Sequence, residues 1–312
     1  MAELVALLDL GSNAARFVLA RVKPGVGFRV LLQERTQTRL GAGRPGTLPT
    51  EAVDETLRAV RRFRRNVRRH VAKAGDERPL HFIAIATAAV REATNRERLM
   101  EPLRRKHGIE LRVLTEREEA RLGASAAIVD LPRRFHGLVA DLGGGSLQLT
   151  TVRGGQIAGT ASLPLGTVRI TRRFIHADPP EPREVRALRA EIRHQLDDAL
   201  PTARRGEEIV GLGGTIRTLA RMHLAERRGR RRHRQGLRLE QAEVTAIRAR
   251  LEGASIGQRR EFRGLRAERA DTILAGAILV EEALISGGYP SLIVSTRGVR
   301  DGLLLREVFG EQ

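Results

Sequence analysis

The sequence predicts an α/β protein built from two similar domains that face each other across a cleft. The deciding observation is a unit that occurs twice: an apolar strand, an Asp-Leu-Gly turn, a return strand, a glycine-containing turn and a third apolar strand. One copy begins near residue 4 and the other near residue 137. Apolar residues at helical spacing follow each copy, and 312 residues are enough for two domains of ordinary size.

The first copy places a carboxylate and a glycine at the end of a strand. An apolar run over residues 4–8 leads into Asp9 and Gly11, and a return strand is predicted over residues 17–22. An Asp at a strand end can offer oxygen ligands to a divalent cation. Glycine lets backbone N–H groups come close to phosphate oxygens because it has no Cβ. A single such turn is also common in hairpins, so the recurrence is what favours a ligand site.

The second copy repeats this chemistry with more glycine. Its first strand ends at Asp141, three glycines follow, and apolar alternation resumes at Leu147. A third glycine loop comes later, where the strand over residues 209–212 runs into Gly213, Gly214 and a helix. A helix N-terminus has free N–H groups and the positive end of the helix dipole. Three glycine loops, each after an apolar strand, therefore indicate a phosphate-bearing ligand.

Two strand-to-helix junctions of the first domain carry further polar residues. Thr87 and Arg91 follow the strand over residues 81–86, and a guanidinium fork matches phosphate oxygens. At the next junction, Thr115 and Glu118 have the spacing of a capping box, which gives Glu118 a structural role. Glu119 has no such role and lies on a helix face of small residues. Its carboxylate is expected either to pair with an arginine or to be chemically active.

The net charge of +19 indicates polyanionic partners. Nucleic acid, anionic lipid and a phosphate-rich small ligand all satisfy the charge, but 3% aromatic residues and no Trp make a base-stacking surface, and hence nucleic acid, an unexpected partner. The alternative is an arginine-rich but merely solvated surface. The same two interpretations apply to two arginine-rich segments, the predicted helix after residue 50 and the run over residues 227–234. The face of the predicted helix opposite its apolar stripe carries six arginines: Arg58, Arg61, Arg62, Arg65, Arg68 and Arg69.

Several site classes are excluded by composition. The chain has no Cys, so it has neither disulfides nor thiolate metal sites. Its eight His are scattered without the spacing of zinc ligands. The longest apolar run, over residues 273–280, is too short to span a bilayer, and the N-terminus does not have the pattern of a signal peptide. We therefore expect a cytoplasmic protein that does not act at a membrane.

Six motifs in order resemble those of the exopolyphosphatase and guanosine pentaphosphate phosphohydrolase (Ppx/GppA) family, part of the actin-like ATPase superfamily. They are Asp9-Leu-Gly-Ser-Asn13 with Arg16, Thr87 to Arg91, Glu118-Glu119-Ala-Arg-Leu122, Asp141-Leu-Gly-Gly-Gly-Ser146, Gly211-Leu-Gly-Gly-Thr215, and Val294-Ser295 with Gly298-Val299-Arg300-Asp301-Gly302. The resemblance covers nearly the whole chain and matches the short, two-domain form. It implies two ribonuclease-H-like domains, over residues 1–124 and 125–312, with the last helix, from about residue 299, packing back on the first domain.

The resemblance also implies a mechanism and partners. Mg²⁺ would bind Asp141, with Asp9 as a further metal ligand, and Glu119 would position and deprotonate the attacking water. The substrate would be inorganic polyphosphate or guanosine pentaphosphate (pppGpp), and the protein would be a homodimer. The residues implied to bind phosphate are Gly11, Ser12, Asn13, Arg16, Arg91, Gly143, Gly144, Gly145, Ser146, Gly213, Gly214 and Thr215.

One position departs from the family pattern. Members usually continue the central loop as Gly-Gly-Gly-Ser-Thr-Glu, whereas this chain has Gln148 in place of that catalytic-site Glu. An amide oxygen can ligate Mg²⁺ or orient water, but it carries no charge and cannot act as a base. Three hypotheses follow: a polyphosphate hydrolase, a polyphosphate- or nucleotide-binding protein with little or no hydrolysis, and a phosphotransferase of the same superfamily.

Overall fold

The computed structural model describes residues 2–200, 203–204, 206–226 and 233–310. The chain divides into two compact units, Met1–Glu119 with Arg300–Gln312, and Ala120–Val299. The arginine-rich run over residues 227–234 lies outside the described residues at positions 227–232.

The first unit contains a five-stranded mixed sheet of order β3-β2-β1-β4-β5. The strands β1, β2 and β3 are antiparallel neighbours, and β4 and β5 continue the sheet parallel to β1. The strands are β1 (Glu3–Leu10), β2 (Ala15–Lys23), β3 (Gly27–Thr36), β4 (Leu80–Ala86) and β5 (Leu111–Val113). Because β1 lies between two strands, all its residues from Leu4 to Leu10 are buried, which explains its nearly continuous apolar run.

Helices cover this sheet and fix the ends of its strands. Those of the first unit are α1 (Thr50–Ala74), α2 (Ala88–Arg91), α3 (Glu97–His107) and α11 (Val299–Phe309), which begins one residue before the boundary. The apolar stripe of α1 packs on the sheet, with the ring of Phe63 stacked on Phe17 at 5.0 Å between centroids. The helix ends at Gly75, whose φ of 57° is a left-handed conformation that glycine adopts without strain.

The second unit repeats the arrangement with one more strand. Its six-stranded mixed sheet has the order β10-β11-β9-β6-β7-β8. The strands are β6 (Gly137–Leu142), β7 (Leu147–Arg153), β8 (Gln156–Leu163), β9 (Glu208–Leu212), β10 (Arg238–Glu240) and β11 (Ser291–Val294). The order β8-β7-β6-β9-β11 matches β3-β2-β1-β4-β5 of the first unit strand for strand, and β10 adds an antiparallel edge. The prediction of an α/β fold made of two ribonuclease-H-like domains is therefore confirmed.

The core of the second unit surrounds one helix. The helices from the unit boundary onward are α4 (Glu116–Ile128), α5 (Thr167–Phe174), α6 (Pro182–Asp197), α7 (Gly213–Glu226), α8 (Gln241–Glu252), α9 (Ile256–Arg260) and α10 (Ile273–Gly287). Helix α10 is buried along almost its whole length and packs against α5, α6, α7 and α8. Among the described residues, no helix is both long enough and apolar enough to cross a membrane.

Two buried glutamates in α10 are neutralised by arginines from neighbouring helices. Arg189 of α6 pairs with both Glu281 and Glu282, and Arg193 of α6 reaches Glu282 at 2.7 Å. Arg248 of α8 lies 3.0 Å from Glu281. Burial opposes ionisation of Glu281, but hydrogen bonds led by Arg248 outweigh it and lower its pKa. The network ties α6 and α8 to the buried helix.

Candidate active site

Asp9 at the end of β1 holds two guanidinium groups in place. The Asp9 residue is 6% exposed. Its Oδ2 lies 3.6 Å from Nη1 of Arg16, its cross-strand neighbour in β2, and 3.6 Å from Nε of Arg300 at the start of α11. Burial, followed by the charge of Arg16, lowers the pKa of Arg300. Two cations against one carboxylate leave a net positive charge at this strand end, which suits a phosphate group.

The turn after Asp9 is held by a second segment of the first unit. Gly41 donates its N–H to the Ser12 carbonyl at 2.7 Å, and Arg39 donates its N–H to the Asn13 carbonyl at 3.1 Å. The Asn13 side-chain oxygen accepts a hydrogen bond from Gln37 at 3.4 Å. A Cβ at Gly41 would come within 2.8 Å of the Ser12 side chain, so glycine is needed for this close approach. The turn that contains Gly11, Ser12 and Asn13 is thereby fixed before any ligand binds.

Glu119 pairs with an arginine, as one of the two sequence-based alternatives stated. Arg91, in the last turn of α2, donates from Nη1 to Glu119 Oε2 at 3.1 Å and to the Leu114 carbonyl at 2.9 Å. The Glu119 residue is 8% exposed. The carbonyl and the carboxylate together orient the guanidinium, which in turn fixes the carboxylate. The pairing keeps Glu119 in one orientation, which is what a water-positioning base requires.

The neighbouring glutamate has the structural role that its spacing predicted. Glu118 Oε2 accepts hydrogen bonds from the Thr115 N–H at 2.8 Å and from the Thr115 hydroxyl at 2.9 Å. The Glu118 N–H donates back to Thr115 Oγ1 at 3.2 Å. The backbone hydrogen bond from Thr115 is the main reason that the pKa of Glu118 is lowered. The capping box is confirmed, and Glu118 and Glu119 are clearly different in environment.

Asp141 at the end of β6 lies against two glycines. A Cβ at Gly123 in α4 would lie 3.0 Å from Asp141 Oδ2, and a Cβ at Gly213 would lie 3.3 Å from Asp141 Oδ1. Gly213 has a φ of 98°, a conformation that side chains disfavour. The small residues of α4, noted in the sequence, thus let the helix approach the carboxylate closely. Glu119 lies four residues before Gly123 and so on the same face of α4.

Gln148 is the direct cross-strand partner of Asp141. It is 1% exposed, and its Nε2 donates to Ser146 Oγ at 2.6 Å. In the described part of the chain, Gln148 Oε1 is buried and has no hydrogen-bond partner. A buried carbonyl oxygen without a donor is costly and requires an explanation. A cation held jointly with Asp141 would satisfy it, since carboxylate and amide oxygens are suitable ligands for Mg²⁺.

The described residues alone do not supply a complete metal cage. Across the described ranges, no group of three or more His, Asp or Glu side chains could hold a metal ion. Mg²⁺ characteristically binds through one or two protein oxygens and completes its coordination with water and substrate phosphates. The pair of Asp141 and Gln148 therefore fits Mg²⁺. Asp9, the other predicted metal ligand, is already flanked by two guanidiniums.

In the glycine loop after Asp141, the carbonyls accept hydrogen bonds from the start of α5, whereas two N–H groups are left available. Thr167 and Val168, at the start of α5, donate their N–H groups to the carbonyls of Gly143 and Gly144 at 3.0 and 2.9 Å. Arg169 Nε donates to the Gly145 carbonyl at 2.8 Å. The N–H groups of Gly144 and Gly145 donate to no backbone carbonyl among the residues described. Successive free N–H groups form an anion-binding nest.

An arginine from another segment of the second unit packs against the third glycine loop, and the sequence did not predict this contact. Gly214 lies at the N-terminus of α7, and the Arg269 guanidinium packs against it so closely that a Cβ there would overlap Nη2. Arg269 is 8% exposed, and Thr215 on the next position is also buried. The only signal in the sequence is an arginine one turn before the apolar helix α10. Arg300 was part of a recognised motif, but its partner Asp9 is almost 300 residues away in sequence.

The comparison with known families decides the identity. The sequence model of the Ppx/GppA phosphatase family matches residues 18–310. The chain belongs to the Ppx/GppA phosphatase family. The resemblance stated from six motifs is thus confirmed.

Relatives of this family member match over most of their length. An uncharacterized protein of Streptomyces coelicolor is 32% identical, over 97% of this chain and 89% of that protein. Exopolyphosphatase 1 of Mycobacterium leprae is 29% identical, over 98% of this chain and 89% of that protein. The crystal structure of the Aquifex aeolicus member of the Ppx/GppA family superposes with a TM-score of 0.79 at 28% identity, covering 99% of this chain and 98% of that chain.

The predicted site residues of this Ppx/GppA protein form one set in each unit. In the first unit, the structure brings Asp9 together with Arg16, and Arg91 together with Glu119. In the second unit, it brings Asp141 together with Gln148 and with Gly213, and Gln148 together with Ser146. Thr215 follows Gly214 in the first turn of α7. Arg300 and Arg269 are additions to the predicted list.

Proposed function

We propose that the protein is a Mg²⁺-dependent exopolyphosphatase that releases terminal orthophosphate from inorganic polyphosphate. Membership of a phosphatase family and similarity to proteins named exopolyphosphatase support the proposal. The observation that carries it is the state of Glu119: a buried carboxylate that the helix cap does not need and that Arg91 holds in one orientation. A binding protein has no need of such a group, whereas a hydrolase needs one to activate water.

Phosphate binding is assigned to the guanidiniums and the glycine loops. Arg16 and Arg300 supply positive charge at the end of β1, and the N–H groups of Gly144 and Gly145 supply hydrogen bonds at the loop after β6. The N-terminus of α7 at Gly213 and Gly214 adds a further anion-binding position, with Arg269 beside it. Donors of this kind fix a phosphoryl group and stabilise the charge that develops on its oxygens, which is the main contribution of proteins to phosphoryl transfer.

Asp141 and Gln148 Oε1 would hold Mg²⁺, which when bound neutralises charge on the phosphate oxygens. Glu119 accepts a proton from water as the water oxygen bonds to the terminal phosphorus. The bridging P–O bond breaks, and its electron pair stays on the shortened chain while orthophosphate leaves. Glu119 then returns its proton to bulk water or product. The carboxyl group of Asp9 is occupied in holding Arg16 and Arg300 in place. We therefore assign the cation to Asp141 and not to Asp9.

The same chemistry applies to the terminal phosphate of pppGpp, which we propose as a second substrate. A phosphoanhydride end group is common to both molecules, and the residues assigned above would contact only phosphates. Homodimer formation and a cytoplasmic location remain predictions.

A second candidate function is polyphosphate binding with weak hydrolysis, and Gln148 is the observation that favours it. A glutamate at this position would add one negative charge directly beside Asp141. The amide instead leaves the cation with a single carboxylate and binds Ser146 through Nε2. Lower metal affinity would reduce turnover while the phosphate-binding loops stay intact.

Phosphate release by Gln148→Glu separates the two functions. We expect the wild-type protein to release orthophosphate from polyphosphate in the presence of Mg²⁺. This release should stop when EDTA removes the metal. Gln148→Glu should reach half-maximal rate at a Mg²⁺ concentration roughly tenfold lower, since a carboxylate replaces a neutral oxygen. Release that proceeds unchanged in EDTA would contradict the metal assignment. Polyphosphate binding without release by either protein would favour the second function.

A further inference from the structure

The outer face of the first unit carries a row of arginines without anionic partners. Four exposed arginines, Arg61, Arg65, Arg68 and Arg69, lie within nine residues of α1. This spacing places them on one face of the helix over about 12 Å. Within the described residues, none of the four forms an ion pair or a side-chain hydrogen bond. The other exposed arginine of this stretch, Arg58, is paired with Glu55 at 2.9 Å.

A second helix extends the positive surface. Helix α3 packs on α1 and ends in the exposed basic residues Arg104, Arg105 and Lys106, of which Arg105 is paired with Glu101 at 3.0 Å. We call Arg61, Arg65, Arg68, Arg69, Arg104 and Lys106 the cationic face. Between the two helices, Nη1 of Arg64 lies 3.3 Å from Nδ1 of His107. Because a guanidinium can only donate, the His107 nitrogen must accept.

Titration behaviour agrees with an excess of positive charge here. Burial and then the charge of Arg68 lower the pKa of Arg64. Burial and then the charges of Arg64, Arg61 and Lys106 lower the pKa of His107. Arg64 is thus repelled by Arg68, and a bound polyanion would offset the excess positive charge around it.

We propose that the cationic face binds the distal phosphates of a long polyphosphate chain whose end is being hydrolysed. The inference rests on the proposed function. A linear array of exposed guanidiniums is complementary to a linear polyanion, and each bound phosphate displaces counterions. Nucleic acid fits less well, because the aromatic ring at this surface, Phe82, is covered by the Arg64 guanidinium at 5.7 Å from its centroid.

The position of the cationic face predicts that only long chains use it. Phe82, under Arg64, lies at the beginning of β4, whereas Thr87 and Arg91 follow the end of β4. Thr87 lies five positions after Phe82, which corresponds to about 16 Å along the strand. A tripolyphosphate bound near Arg91 is too short to reach the cationic face. Long-chain polyphosphate spans that distance.

The test compares two quadruple variants of the full chain. The first carries Arg61→Gln, Arg65→Gln, Arg68→Gln and Arg69→Gln, substitutions that keep helix propensity almost unchanged. The control removes four exposed arginines of the second unit that have no partner in the described structure. Its substitutions are Arg133→Gln, Arg134→Gln, Arg186→Gln and Arg263→Gln. Both variants lose the same charge, so a difference between them reports location and not net charge.

Binding and steady-state kinetics are measured with long-chain polyphosphate and with tripolyphosphate over a range of KCl concentrations. For the first variant we expect about tenfold weaker binding and a raised KM for the long chain, an unchanged kcat, and unchanged values for tripolyphosphate. The slope of log affinity against log salt should fall by about 3 for the long chain, because four phosphate contacts are lost. The control variant should behave as the wild type does.

Three results would overturn the inference: long-chain binding unchanged in the first variant, an equal loss in the control, or an equal loss for tripolyphosphate. A larger loss for single-stranded RNA than for polyphosphate of similar length would assign the cationic face to nucleic acid and overturn it as well. If the proposed function is wrong, the wild type releases no phosphate, which is a different result from a loss of binding. The binding measurement still tests the inference in that case, since it does not require turnover.

Discussion

At the scale of single residues, Gly123 packs closely on the carboxylate of Asp141. The carboxylate lies between α4 and the start of α7, and its position depends on two residues that lack a Cβ. A glycine inside a helix is otherwise unfavourable by about 1 kcal/mol relative to alanine. Its presence in α4 at this position is therefore explained by the neighbouring carboxylate.

Gly123→Ala is expected to lower phosphate release without unfolding the protein. The new methyl group would lie 3.0 Å from Asp141 Oδ2, so the carboxylate must shift by a few tenths of an ångström. Gain in helix propensity offsets part of the strain, and we expect the unfolding free energy to change by less than about 1 kcal/mol. Activity and urea unfolding are measured together. Ser125→Ala, on the exposed side of the same helix, is the control and should leave phosphate release unchanged.

At the scale of secondary-structure elements, the buried ion pairs of α10 link it to α6 and α8 and stabilise the second unit. Breaking a buried ion pair by removing one partner is costly, because the other charge is left buried without compensation. Glu281 is 2% exposed and accepts hydrogen bonds from arginines of both α6 and α8. Glu281→Gln should therefore destabilise the protein by about 3 kcal/mol at neutral pH.

The pH dependence of this cost follows from the lowered pKa of Glu281. A carboxyl group whose pKa is lower in the folded state stabilises that state fully above its ordinary pKa of 4.5. The contribution is lost as the pH falls through the folded-state value, because the unfolded chain takes up the proton first. Urea unfolding of wild type and Glu281→Gln should thus differ most near pH 7 and converge below pH 4.5. A constant difference over this range would contradict the ionised network.

Elements were predictable from sequence wherever local pattern was sufficient. The recurring strand–turn–strand unit, the capping box at Thr115 and Glu118, and the stripe of α1 depend on spacing within a few residues. The pairing of Arg300 with Asp9 and the packing of Arg269 on Gly214 depend on the tertiary fold, which brings together residues far apart in sequence. The pairing of Glu119 with Arg91 likewise joins two residues from different elements, 28 positions apart in sequence.

At the scale of the whole molecule, the repeated strand order gives one chain two similar strand ends with an Asp and a glycine-containing turn. The two sheets share one strand order, and each places an Asp at the end of its first strand, before a turn that contains glycine. The two copies differ in charge. Asp9 is paired with guanidiniums, whereas Asp141 is paired with a neutral amide. The first arrangement suits an anion directly, and the second suits a cation that then binds an anion.

The central claim is that the whole protein hydrolyses polyphosphate with Glu119 as the base, and the adjacent glutamates give its most direct measurement. Orthophosphate release and polyphosphate binding are measured for Glu119→Gln and Glu118→Gln. Glu119→Gln should lose at least about 100-fold in rate while it still binds polyphosphate. Glu118→Gln should lose about 1 kcal/mol of stability or less and keep its rate. An equal loss of rate in both folded variants, or a normal rate in Glu119→Gln, would contradict the account.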